Sequence, residues 1–218
     1  MKLFKYYLLF ICISCSLNIF AQPFADEIQE FKKLDGVHPP PANAILFVGS
    51  SSFRKWTDVS SYFPGYIIIN RGFGGSTLPD VIRYANDIIF PYHPKQVVIY
   101  CGENDFEGAD HPGADTVFER FKTLFELIRH DLPGENIAFI SMKPSPSRMK
   151  HFSEFEKANL LIQTYLSLQS HAAFIDVYHK MLNADGSVMK ELFLEDMLHM
   201  NAKGYAIWQK AITPYLLK

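Results

Sequence analysis

Cysteine is scarce in this chain: three of 218 residues, and two of them, Cys12 and Cys15, lie within the first fifteen positions. That excludes a disulfide-stapled scaffold, so the fold must be held by an ordinary core. No Cys/His spacing suits zinc, and the eight histidines are scattered, so no metal is expected. An excess of positive charge is missing too. Twenty-one Lys and Arg face 23 Asp and Glu, a formal charge of −2, which leaves nothing to track a phosphate backbone and excludes nucleic acid as a partner. Internal repeats and compositionally biased segments are absent. A long hydrophobic run is lacking as well: "YYLLFICISCSLNIF", Tyr6 to Phe20, is shorter than the ~20 apolar residues of a comfortable membrane span.

That short run has a different reading. Lys2 and Lys5 precede it and the small residue Ala21 follows, the pattern of a secretory signal peptide over residues 1–21. The expected location is therefore secreted or periplasmic. An uncleaved anchor, or lipid attached at Cys15, is the alternative, and either would make a membrane a partner. Against the lipid stands Cys12, where a lipoprotein signal usually has Leu. Cleavage would remove two lysines and no acids, leaving −4, with Cys101 as the one remaining cysteine. Residues 22–42 read as a Pro-rich lead-in segment and 43–218 as one domain.

What the chain does have is 48% hydrophobic residues, 15% aromatic, enough to fill one core. Short β-rich runs read as strands: "AILFV" 44–48, "YIIIN" 66–70, "QVVIYC" 96–101, "NIAFIS" 136–141 and "AAFIDV" 172–177. They lack period-2 alternation, as strands covered on both faces do. Helical patterns alternate with them over 78–89, 114–132, 152–170 and 201–218. Such alternation predicts an α/β fold, a three-layer α/β/α sandwich around a five-stranded parallel sheet. Ligands of such sheets bind beyond the carboxyl ends of the strands.

Four polar clusters fall at such places: Gly49-Ser-Ser-Ser52, "NRGFGGST" from Asn70, "CGENDF" from Cys101, and "EDMLHM" before the last helix. Singly, each has an ordinary structural explanation. Three serines make a turn or helix cap. The glycines shape backbone, and Thr77 stands where a dinucleotide loop needs its third glycine. His199 would be satisfied by Asp196 alone. Jointly they supply what acyl transfer needs: a nucleophile, a base, an acid to orient it, and donors for an oxyanion.

This ordered set resembles the SGNH hydrolase superfamily, the GDSL-like esterases and acylhydrolases, from about Asn43 to the last helix. The resemblance implies the superfamily's flavodoxin-like fold and a Ser-His-Asp site without cofactor or metal. It places the nucleophile at Ser51, the base at His199 and its orienting acid at Asp196. The oxyanion donors would be the Ser51 and Gly75 N–H groups and the Asn104 amide. Ser50 replaces the superfamily's usual Asp, as in a subgroup resembling platelet-activating-factor acetylhydrolase; "KPSPSR" from Lys143 fits that subgroup too. Gly75 is expected to be glycine because a Cβ would crowd the ligand. Asp105 is expected to brace its loop, and Arg71 and Arg148 to stand at the pocket rim. Trp56 is expected in the core.

The implied activity is hydrolysis of a carboxylic ester of a small molecule or glycan. Short loops without an apolar lid favour short acyl groups, O-acetyl on carbohydrate in particular. A lipid-directed acylhydrolase is the alternative, and an inactive exported binding module the third reading.

Overall fold

Branched and aromatic residues in short runs suit a pleated surface covered on both sides. In the computed structural model, which describes residues 22–218, those runs form one parallel sheet. Its strands are β1 (Ile45–Gly49), β2 (Ile68–Gly72), β3 (Gln96–Tyr100), β4 (Asn136–Ile140) and β5 (Ala172–Ile175). They lie side by side in the order β2-β1-β3-β4-β5, the flavodoxin-like order. The expected signal peptide, with Cys12 and Cys15, falls outside the described residues.

The helices are α1 (Ala25–Val37), α2 (Ser51–Arg54), α3 (Val59–Tyr62), α4 (Leu78–Arg83), α5 (Ala85–Ile88), α6 (Ala114–Asp131), α7 (Phe152–Ser167) and α8 (Ala202–Ile212). Alternate strand residues feed two cores. Leu46, Val48, Val97, Ile99, Ile137 and Phe139 pack with α1 and α4 to α7. Ile45, Phe47, Val98, Tyr100, Ala138 and Ile140 pack with α2, α3 and α8. All five residues of β1 and of β3 are buried, which is why no alternation was visible in their composition.

Three elements differ from the sequence reading. The second strand begins two residues later than expected, because Gly65 adopts φ +87° and Tyr66 N–H closes a turn on Phe63 O at 3.1 Å. The pattern over 78–89 splits into α4 and α5 at Tyr84, whose hydroxyl donates to Pro23 O at 2.6 Å. The last helix stops at Ile212, since Pro214 cannot continue it. The lead-in segment holds a feature that composition did not disclose. It folds as α1, with Ile28 its one fully buried residue.

The strand order decides where a site can form. The chain leaves β1 for β2 on one side, then crosses back to β3 on the other. Gly49 of β1 stands level with Gly72 of β2 and Tyr100 of β3. The residues just after those three positions therefore emerge together at the switch point between β1 and β3.

Candidate active site

Gly49 ends β1 at φ +136°, a backbone that L side chains rarely adopt, and a Cβ there would lie 1.9 Å from Tyr100 O. The turn this permits starts α2 at Ser51. Phe53, two residues on, anchors the short helix: its ring centroid is 4.9 Å from that of Phe47 and 6.1 Å from that of Trp208. Full burial of such a side chain contributes about 2–3 kcal/mol. Asn70 holds the other end, donating from Nδ2 to Phe53 O at 2.7 Å. The expected core residue Trp56 is fully buried, stacked on Tyr205.

The three serines now separate. Ser50 and Ser52 are buried, whereas Ser51 is only partly so. Ser51 Oγ lies 2.9 Å from His199 Nε2, although 148 positions separate the two residues. His199 Nδ1 lies 2.6 Å from Asp196 Oδ2, and the N–H groups of Leu198 and His199 donate to Asp196 Oδ1 at 3.0 and 2.9 Å. Burial alone would raise the Asp196 carboxyl, but the hydrogen bonds from His199 and Leu198 outweigh it and hold it at about 2. An ionised carboxylate only accepts, so the Nδ1 proton belongs between His199 and Asp196. Nε2 is then the acceptor, and Ser51 Oγ–H donates to it.

The turn carrying Asp196 and His199 is a loop of its own, with Met197 left-handed at φ +53°. Leu194 N–H donates to His199 O at 2.8 Å and Ser147 N–H to Met197 O at 3.0 Å. Asn201 caps α8 directly behind it, accepting from Lys203 N–H at 2.9 Å.

The glycine segment follows β2. A Thr77–Asp80 capping box starts α4, and the N–H of Leu78 donates to Asp105 at 3.0 Å. Glycine is required at Gly74, where φ is +32° and a Cβ would meet the Phe24 ring at 2.2 Å. At Gly75 a Cβ would find only Asn104 Nδ2, at an ordinary 3.8 Å. Packing thus leaves room for a side chain at Gly75, and what it would fill is the space in front of the Asn104 amide. Among the described residues, the N–H groups of Ser51 and Gly75 donate to no protein acceptor.

Asn104 completes the group. Its Nδ2 donates to Ser50 Oγ at 2.7 Å and to Ser76 O at 3.1 Å. Asp105 braces the loop, taking Leu78 N–H on one oxygen and Arg120 on the other at 3.1 Å. Burial pushes its carboxyl up to about 6 against the pull of both donors.

Both arginines expected at the rim are otherwise engaged. Arg71 donates to Tyr92 Oη at 2.6 Å and to Asn70 O at 2.9 Å, and pairs with Asp35 of α1. Its guanidinium fastens α1 to the sheet edge instead of facing a ligand. Arg148 is 16% exposed, paired with Glu107 at 2.6 Å and donating to Asn104 Oδ1 at 3.2 Å. Its contact is with a site residue rather than with solvent.

Several supporting groups escaped the sequence reading. Lys143, 1% exposed, meets Glu103 at 3.0 Å and Tyr100 Oη at 3.1 Å beneath the Asn104 loop. Burial lowers the Lys143 ammonium and raises the Tyr100 phenol. Glu27 of α1 accepts from Gly74 N–H at 3.0 Å and from Arg54 of α2 at 2.7 Å, joining the glycine segment to the Ser51 helix. The one available signal was for Lys143, as the first residue of "KPSPSR".

The description of the GDSL-like lipase/acylhydrolase family matches residues 35–207. A search of curated proteins gave no match. Among solved structures, the chain is similar to a Streptococcus pneumonia protein provisionally named a platelet activating factor, at 21% identity and TM-score 0.76, over 88% of this chain and 92% of that one. A GDSL-like lipase from Bacteroides thetaiotaomicron aligns at 21% identity and TM-score 0.70, over 86% and 96%. An acetylxylan esterase from Geobacillus stearothermophilus aligns at 13% and 0.63, over 80% and 94%. At such identities the structural likeness speaks for the shared fold.

Proposed function

The chain belongs to the GDSL-like lipase/acylhydrolase family, and from that premise we propose that it is an exported serine esterase that removes short acyl groups, O-acetyl in particular, from carbohydrate. The observation that carries this reading is the continuous line from Ser51 Oγ through His199 to Asp196, at 2.9 and 2.6 Å. In it, Ser51 Oγ attacks the ester carbonyl while His199 Nε2 takes the hydroxyl proton. Asp196 stabilises the imidazolium that results. The carbonyl oxygen, now an anion, lodges between the N–H groups of Ser51 and Gly75 and shares the Asn104 Nδ2–H that Ser50 otherwise holds. Collapse expels the alcohol, which leaves with the proton from His199. Water then attacks the acyl-serine, gives its proton to the same nitrogen, and releases the carboxylic acid and free Ser51.

Acetate as the acyl group is supported by the direct connections β1–α2 and β2–α4, which leave no insertion to cover a long chain. The acetylxylan esterase activity belongs to the Geobacillus protein and lends this chain a direction, not a substrate. Export rests on residues 1–21 alone.

A lipid-directed acylhydrolase is the second reading. Leu194 and Met197, 44% and 39% exposed, flank Asp196 on the His199 turn, and Met149 stands 60% exposed on the neighbouring turn. Such apolar groups suit an acyl chain. Acetate release from acetylated glycans and acetyl phospholipids, with Ser51→Ala as control, decides between the two. The glycan reading expects release from glycans and a rate on nitrophenyl esters that falls from acetate to octanoate. A rising rate moves the assignment to lipid. Absence of turnover, with Ser51 unlabelled by a fluorophosphonate, leaves a binding module.

A further inference from the structure

An amide side chain is nearly symmetric in shape, so only its partners decide which end faces the reaction. Asn104 has two partners whose polarity is fixed. The carbonyl of Ser76, 3.1 Å from Nδ2, can only accept. The guanidinium of Arg148, 3.2 Å from Oδ1, can only donate. Turning the amide by 180° would set oxygen against carbonyl and NH2 against guanidinium, both repulsive. The third partner, the Ser50 hydroxyl, donates or accepts equally well and would tolerate either orientation.

Arg148 is itself held in place. Its other terminal nitrogen pairs with Glu107 Oε1 at 2.6 Å, and its backbone N–H donates to Ser145 O at 2.8 Å. Glu107 is gripped also by Lys150 at 3.1 Å and His151 at 2.8 Å. Burial alone would raise the Glu107 carboxyl, but Arg148, Lys150 and His151 together hold it at about 2, so the anchor stays charged at neutral pH. Sixteen per cent exposure leaves the Arg148 guanidinium little freedom to reach outward.

We propose that Arg148 is a positioning residue for the oxyanion: anchored by Glu107, it fixes the Asn104 amide with NH2 toward Ser50 and the reacting carbonyl, and as a cationic donor on Oδ1 it makes that NH2 a stronger donor. The proposal rests on the esterase reading for its kinetic consequence, and on geometry alone for the amide orientation. A charge-assisted hydrogen bond on the carbonyl end withdraws electron density from the nitrogen, so the two ends of the amide act in series.

The test uses Arg148→Met, which keeps the stem and removes every donor, Arg148→Lys, and the full chain. Relative to wild type, Arg148→Met should lower kcat about 10- to 100-fold, less than or equal to the loss expected for removing the donor itself, with KM within about twofold. Arg148→Lys should recover part of that loss. In an Asn104→Ala background, Arg148→Met should cost less than about twofold more, because the group through which it acts is gone. A raised KM with kcat retained would assign Arg148 to substrate instead. An undiminished effect in the Asn104→Ala background would also overturn the proposal. Independently of any activity, the side-chain NH2 resonances of Asn104, identified by their loss in Asn104→Ala, should shift and exchange faster in Arg148→Met. Unchanged resonances refute the positioning role even if the protein hydrolyses esters. Changed resonances in a protein that hydrolyses nothing would sustain the role and discard the esterase reading.

Discussion

Two segments of this molecule share an Asp-x-x-His pattern and almost the same Asp–His hydrogen-bond geometry. In Asp196-Met-Leu-His199 the carboxylate takes the His N–H at 2.9 Å and lies 2.6 Å from its Nδ1. In Asp176-Val-Tyr-His179 the corresponding distances are 3.1 and 2.9 Å. The side chains then part company: His199 is 13% exposed with Nε2 on Ser51, while His179 is 74% exposed. An Asp three residues before a His therefore orients an imidazole by local chemistry alone. What distinguishes His199, and what the proposed esterase mechanism would use, is the Ser51 hydroxyl placed at the other ring nitrogen. His179 follows edge strand β5, remote in the sheet order from the β1–β3 switch point, whereas the His199 loop is carried back to it.

Substitutions can break this contrast. Replacing His199 with Ala should cut kcat/KM by at least about 10⁴-fold, as loss of the base does in triad hydrolases, whereas His179→Ala should stay within twofold. Equal losses in an ester-hydrolysis assay would erase the distinction. Asp196→Asn comes next, with a loss of about 10³- to 10⁴-fold from a mis-set tautomer, against no measurable change for Asp176→Asn.

Asn104→Ala sharpens the comparison by leaving both turns intact while removing a donor found only at the first. A loss of about 10²–10³ in kcat is expected, with unfolding free energy changed by only about 1 kcal/mol. A collapse in thermal midpoint would make Asn104 a structural residue. The smallest effect concerns acid stability. Because Asp196 is held near 2 in the fold against an ordinary 3.8, its contribution is present above about pH 4 and lost as pH falls toward 2. Asp196→Asn should flatten that part of the stability curve slightly, the amplitude being small for a side chain 44% exposed. A steeper acid limb in the variant would contradict the sign.

Much of the framework was readable because it rests on short-range pattern. Apolar runs located all five strands, and α6 and α7 matched their periodic stretches to within three residues. Helix α1 was not readable. It buries Ile28 alone, and polar anchors hold it: Glu27 on Gly74 and Arg54, Asp35 on Arg71. No periodicity signals a carboxylate that waits for a backbone N–H 47 positions away. The partners of Arg71 and Arg148 were not readable for the same reason, since an arginine's charge says nothing about which group will claim it.

Within that framework, the amino-acid order by itself determined the strands, the turns that end them, and the local Asp–His geometry, all of which act over a few residues. The family resemblance pointed to Ser51 and His199, but the physical reasons lie in the tertiary structure alone: which of three serines stays reachable, which of two Asp-x-x-His segments meets it, and which arginine lies against Asn104. Those choices depend on groups up to 148 positions apart being packed side by side. Packing at that range is set by strand order and by competition for burial, neither of which a local pattern encodes.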